Sequence, residues 1–349
     1  MLRILSWIGL PVLTLLLGGG LWLYLDYQDF LAEPLNVQTT AVQITVAPGA
    51  SMKSVARNLA GQNLLDRPYY LAWRARERGV AHRIRAGEYQ IQLGTTVDGL
   101  LDILVQGEVI QYSLTIPEGW TFREMLHAVR GHEALEHTLM DADRDEIMKR
   151  LGRDGEHPEG RFFPDTYLFP RGTSDLDFLQ RAYATMERHL LEQWQGREPD
   201  LPLASPYEAL ILASIVERET GRPQERDRIA GVFVRRLERD MKLQTDPTVI
   251  YGMGERFDGN IRRADLKRDT PYNTYVHHGL PPTPIALPGV DAIHAALHPA
   301  HGSALYFVAR GDGSHVFSDT LAAHNRAVRQ YQLHRRSNTK AQAKSQVGQ

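Results

Sequence analysis

The sequence contains no cysteine, which excludes disulfides, thiolate metal sites and a cysteine nucleophile. It also lacks a surplus of positive charge. Its 40 Lys and Arg stand against 42 Asp and Glu, for a formal net charge of −2. Phosphate backbones are bound through such a surplus, so no nucleic-acid partner is expected. No internal repeat is visible. Histidines occur close together in His277-His278 and in His298-Pro299-Ala300-His301. Their spacing fits no zinc pattern, and there is no His-Glu-x-x-His helix, so no metal is expected. What remains is ordinary globular composition, 42% hydrophobic and 23% charged over 349 residues. That is enough chain for two or three domains.

One long apolar run is present, at the start. Ile4 to Leu25 carries no charge. As a helix it would span roughly 33 Å, matching a hydrocarbon core of roughly 30 Å. Arg3 precedes the run and Asp26 and Asp29 follow it. The positive-inside rule then predicts a cytoplasmic N-terminus at 1–3, a single transmembrane helix at 4–25 and a stalk at 26–40, with everything beyond exported. The exit Trp22-Leu23-Tyr24-Leu25 offers no small-residue cleavage site, which favours a retained anchor over a cleaved signal peptide.

Residues 41–112 predict a small α+β module. Val42 to Val46 alternates as a strand and ends at Pro48-Gly49, and Gly87 to Leu93 alternates again. Helical spacing covers Ser51–Leu59, Tyr69–Arg78 and Val97–Val105. An acidic, irregular stretch over 130–160 leads to Glu159-Gly160, and 175–195 reads as an amphipathic helix. Ala304–Ala309 and His315–Phe317 flank Gly311-Asp312-Gly313 and predict a hairpin. His334-Arg335-Arg336 reads as a solvated helix end, and the polar tail at 337–349 is expected to be disordered.

The segment beginning at Ser205-Pro206-Tyr207-Glu208 has the signature of a helix start: Ser to cap, Pro in the first turn, Glu three residues on. Its middle, Ala209 to Ala213, is too apolar for a surface helix. Tyr207, Ser214 and Arg218 fall on one narrow stripe, the expected exposed side. Glu219 follows Ile215 by one turn and Leu212 by two, inside the apolar sector; Glu217 lies nearer its edge. Apolar surroundings raise a carboxyl pKa, which suits a general acid working near neutral pH. The alternative is that Glu219 pairs with Arg222 or Arg226.

Three short motifs in order resemble those of lysozyme-like lytic transglycosylases: Glu219-Thr220, Leu243-Gln244-Thr245-Asp246-Pro247-Thr248 and Tyr272-Asn273-Thr274-Tyr275. Longer strings resemble the YceG-like endolytic murein transglycosylase family over nearly the whole chain. They include Ala213 to Thr220, Leu243 to Gly254, Gly279-Leu280-Pro281-Pro282, Pro284-Ile285-Ala286 and His324-Asn325. Val46 to Ser51, Ala86 to Tyr89 and Ile116 to Trp120 resemble the family's LysM-like segment, read either as a glycan binder or as a spacer. Arg218 stands where the family often has Lys, and 131–158 matches poorly.

The resemblance implies an α+β protein: a transmembrane helix, a LysM-like domain at 41–112, and a larger, mainly helical, lysozyme-like catalytic domain with a β-hairpin at 113–336. It implies that Glu219 is the catalytic acid/base, with Gln244, Thr248, Tyr251, Tyr272, Asn273 and Glu159 on the substrate and no cofactor. The substrate implied is the peptidoglycan glycan strand, cut at the β-1,4 bond between N-acetylmuramic acid and N-acetylglucosamine with 1,6-anhydro ring formation. The location implied is the inner membrane with the catalytic domain in the periplasm, and membrane-bound peptidoglycan synthases are the partners. Two alternatives remain open: a muramidase using Glu219 with Asp246 or Glu217, and a non-catalytic peptidoglycan-binding scaffold.

Overall fold

The structure, a computed structural model, describes residues 2–333, with side chains from Leu13 to Tyr331. His334-Arg335-Arg336, the tail at 337–349 and the side chains at 4–12 of the expected membrane span lie outside the described residues. The chain divides into two units, Met1–Tyr112 with Leu168–Thr173, and Ser113–Tyr167 with Ser174–Gln349.

In the first unit one continuous helix, α1 (Leu2–Ala32), carries the N-terminal apolar residues. Among the described residues no helix is long and apolar enough to cross a membrane. The apolar stretch whose side chains are described, Leu13 to Leu25, would cover roughly 20 Å, and Asp26 and Asp29 follow at once. Beyond it Tyr27, Phe30 and Leu31 pack into the core of this unit. β1 (Ala41–Val46) pairs antiparallel with β2 (Gly87–Gln92), from Ala41 opposite Gln92 to Val46 opposite Gly87. Between them lie α2 (Met52–Gly61) and α3 (Pro68–Glu77), and α4 (Val97–Gln106) follows. Ser51 caps α2 at the Ser54 N–H, and Thr96 caps α4 at that of Gly99, each such cap stabilising its helix by about 1 kcal/mol. Leu59, Leu71, Tyr89, Leu100 and Leu104 meet in the core.

The second unit is mainly helical. Its helices are α5 (Phe122–Arg130), α6 (Arg144–Arg150), α7 (Asp175–Gln195), α8 (Pro206–Glu219), α9 (Arg226–Glu238), α10 (Asp246–Met253), α11 (Val290–Leu297) and α12 (Leu321–Val328). A hairpin joins β3 (Tyr306–Ala309) to β4 (His315–Ser318), with Tyr306 opposite Ser318 and Ala309 opposite His315. α8 is the central element: α7, α9, α10 and α11 all pack on it. Every residue from Ala209 to Val216 is buried, and each large apolar side chain so covered stabilises the fold by about 1.5–3 kcal/mol.

The exposed stripe expected on α8 does not exist as such. Arg218 is exposed, but Tyr207 is half-buried and Ser214 is fully buried. The Ser214 hydroxyl donates to the Ile211 carbonyl and accepts the Ile285 N–H at 3.0 Å. A segment distant in sequence therefore covers that side of the helix, and one small polar residue satisfies the crossing backbone.

Candidate active site

Glu219 is the last helical residue of α8. At Thr220 the backbone turns extended (φ −146°, ψ 133°), and the Thr220 hydroxyl accepts the Arg222 N–H at 3.0 Å. The half-buried Glu219 carboxyl is pushed up to about 7, first by loss of hydration. The Thr245 hydroxyl, which donates to Oε1, works against that shift; Asp246 adds to it and Arg236 opposes it.

Thr245 is brought to Glu219 by the loop before α10. It occupies the N-cap position of that helix, yet its side chain makes no cap hydrogen bond. Gln244 just before it holds a left-handed backbone (φ 51°), a conformation that costs a non-glycine residue on the order of 1–3 kcal/mol. The loop is held by Thr274, whose carbonyl accepts the Gln244 N–H and whose hydroxyl accepts the Thr245 N–H, both at 3.1 Å. Thr248, fully buried, ties its hydroxyl to the Thr245 carbonyl at 2.8 Å and to the Thr274 hydroxyl at 2.9 Å. Asn273 anchors the facing loop: its Nδ2 donates to the carbonyls of Asp265 and Arg268, and its Oδ1 accepts the Tyr275 N–H.

Glu219 opens on a cavity of about 440 Å³, which Gln244, Asp246, Tyr275 and Arg236 also line. The Tyr275 hydroxyl donates to Asp246 Oδ1 at 2.6 Å, and burial pushes the ionisation of that tyrosine up. β3, β4 and α12 complete the wall through Tyr306, His315 and His324. Of the residues expected to bind substrate, Gln244 lines this cavity. Thr248 and Asn273 are buried and commit their polar atoms to holding the loops.

Glu159, Tyr251 and Tyr272 form a separate cluster outside the lining of that cavity. Glu159 is buried and accepts the Phe122 N–H at 2.8 Å and the Tyr251 hydroxyl at 3.0 Å. Burial pushes its carboxyl up to about 7. The Tyr251 and Tyr272 rings meet edge-on with centroids 4.9 Å apart, and the Tyr272 and Thr283 hydroxyls lie 2.9 Å apart. Gly160 has φ 78°, and a Cβ there would lie 2.5 Å from Pro284, so only glycine fits the turn.

Glu217 also lies elsewhere. It accepts the Gly289 N–H at 3.1 Å, at the start of α11, and is 3.5 Å from Arg226, which also reaches Glu118 and Asp291. Arg226 thus goes to other carboxylates, and Arg222 donates to the Asp312 carbonyl. Neither is the partner of Glu219, whose carboxyl is met by Thr245 instead. Thr245, Tyr275 and Arg236 are site residues that sequence reasoning did not single out. The first two lie inside the motif strings; Arg236 has no local signal at all.

The sequence model of the YceG-like family matches residues 44–330. An endolytic murein transglycosylase of Bacillus subtilis (strain 168) is 30% identical over 334 residues, 90% of this chain and 91% of that protein. An endolytic murein transglycosylase of Streptococcus pneumoniae serotype 2 (strain D39) is 28% identical over 364 residues, 92% of this chain and 64% of that protein. Among solved structures, a YceG-like protein of Listeria monocytogenes aligns with a TM-score of 0.51 at 27% identity, covering 82% of this chain and 98% of that one. With its mixed helix and sheet fold and a family match that runs through both units, this chain belongs to the YceG-like family.

Proposed function

We propose that this chain is an endolytic peptidoglycan lytic transglycosylase. It cleaves the β-1,4 bond between N-acetylmuramic acid and N-acetylglucosamine within glycan strands and leaves 1,6-anhydro ends. One observation carries the reading: Glu219 has its carboxyl raised to about 7 at the edge of an open polar cavity, in a chain whose relatives are named endolytic murein transglycosylases.

Near neutral pH a substantial fraction of Glu219 is protonated, and it donates that proton to the bridging oxygen as the glycosidic bond breaks. The Thr245 hydroxyl already occupies Oε1, so the transferable proton sits on Oε2. The carboxylate left behind takes the proton of the muramyl 6-hydroxyl, whose oxygen attacks C1 and closes the ring. Proton count balances, Glu219 is regenerated, and no water is consumed. Because the nucleophile belongs to the substrate, proximity supplies part of the rate enhancement. The carboxylate is stabilised in turn by the Thr245 hydroxyl and the Arg236 charge. Gln244 lines the cavity and offers its amide to a sugar.

The same reading extends to location. The N-terminal helix anchors the chain in the inner membrane, residues 26–40 act as a stalk, and the catalytic unit works in the periplasm beside membrane-bound synthases. Support comes from the apolar run at 4–25 and from the exposed leucines of α1. The module at 41–112 serves as a LysM-like glycan binder or spacer.

A muramidase is the second reading, favoured by one fact: Asp246 lines the same cavity as Glu219, whereas Glu217 does not. Mass spectrometry of products from purified peptidoglycan separates the two. Anhydro ends support the transglycosylase; reducing ends without anhydro ends overturn it. Strand binding without cleavage would support the scaffold.

A further inference from the structure

Arg236 is 7% exposed, lines the cavity that contains Glu219, and makes no ion pair among the described residues. Its Nε donates to the Leu305 carbonyl at 2.7 Å, and its Nη1 donates to the carbonyls of Leu243 at 2.7 Å and Lys242 at 3.3 Å. These bonds pin the start of the hairpin to the loop before Gln244, and they leave Nη2 without a hydrogen bond among the described residues. The guanidinium lies over the Tyr306 ring at 5.1 Å, and that ring stacks on His324 at 5.3 Å and 27°. His324 lines the same cavity, and burial and the Arg236 charge hold its imidazole below the ordinary value, so the positive charge of this wall is that of Arg236.

Main-chain carbonyls satisfy hydrogen bonds but do not neutralise a charge, and a buried cation without a counter-ion is costly. Among the described residues no carboxylate lies within ion-pair distance of it; Glu219 acts on it only through longer-range attraction. An incoming carboxylate would meet the unused Nη2 N–H of a charged guanidinium, a charge-assisted hydrogen bond stronger than one between neutral groups.

We infer that Arg236 forms an anion subsite in this cavity that takes a carboxylate carried by the glycan substrate. The inference rests on the transglycosylase reading and refines its substrate class. Two groups share this chemistry: the free lactyl carboxylate of a muramyl residue stripped of peptide, and a carboxylate of an attached stem peptide.

The test uses the full-length protein and four strand preparations of equal length. These are stripped strands, stripped strands with lactyl carboxylates converted to methyl amides, peptide-bearing strands, and peptide-bearing strands amidated in the same way. KM and kcat for release of anhydro ends are measured for each. Amidation should raise KM by about tenfold or more in one pair, equivalent to one lost charge-assisted contact, with kcat changed little. The pair that responds identifies the source of the carboxylate. In Arg236→Gln the difference within that pair should vanish, and circular dichroism checks that this variant is folded. Equal KM within both pairs on the parent protein overturns the subsite without recourse to any variant. If no strand yields anhydro ends, the transglycosylase reading fails instead, and the affinity of the same strands for the protein still reads the subsite.

Discussion

Thr245 stands at the N-cap of α10 and gives its hydroxyl to Glu219 instead of to its own helix. The diversion forgoes a cap worth about 1 kcal/mol and places a donor on one oxygen of a carboxyl raised to about 7. Thr220, next to Glu219 in sequence, has its hydroxyl on the Arg222 N–H. The residue that orients Glu219 therefore comes from a loop 26 positions away.

With Glu219 as the proton donor, kcat/KM should fall as pH rises through about 7. Thr245→Val removes a bond that favours the ionised form, so this limb should move up by roughly one pH unit. Thr245→Ser should return it. A pH–rate profile on defined glycan strands checks both; an unmoved limb in Thr245→Val would show that the hydroxyl does not tune the acid.

Glu219→Gln should reduce release of anhydro ends by about 10²–10⁴-fold while strands still bind. Product analysis with a folded variant checks it, and parent-like cleavage would remove Glu219 from the mechanism.

The same substitution bears on stability. The Glu219 pKa is raised from 4.5 to about 7 in the folded state, so the folded protein holds more protons than the unfolded chain between those values. Stability associated with this group is present at low pH and is lost as pH rises from about 4.5 through about 7. Relative to parent, Glu219→Gln should thus gain about 2–3 kcal/mol more at pH 8 than at pH 5. Urea unfolding at the two pH values measures the difference; no pH-dependent gain would contradict the raised carboxyl.

Glu159 should behave as a buried structural carboxyl. Tyr251 donates to it at 3.0 Å, and the ionised form needs that donor most. Tyr251→Phe should cost about 1–2 kcal/mol at pH 8 and less at pH 5, where Glu159 is mainly protonated. Equal losses at both pH values would mean that ring packing dominates.

Gln244 and Asn273 should separate binding from folding. Gln244→Gly relieves a left-handed backbone and should stabilise by about 0.5–1 kcal/mol while raising KM. Asn273→Ala leaves the carbonyls of Asp265 and Arg268 and the Tyr275 N–H without their partner, and should cost about 1–3 kcal/mol. Denaturation midpoints and KM, measured together, check the pair.

Local pattern alone carried the helix at 206–219, its apolar middle, the 175–195 helix and the hairpin about Gly311-Asp312-Gly313, because helical period, capping and turn chemistry act over a few residues. The same periodicity set Glu219 on the inward side of the helix, where burial raises its carboxyl, although its actual neighbours are mostly polar. Tertiary structure alone decided what meets that carboxyl. It buried Ser214 beneath Ile285, sent Thr245 to Glu219, and put Arg236 and His324 in one wall while moving Glu217 and Glu159 to other places. Those outcomes depend on contacts between segments tens of residues apart. No local preference encodes them; only the packing of α8 among its neighbours selects which polar groups share its buried end.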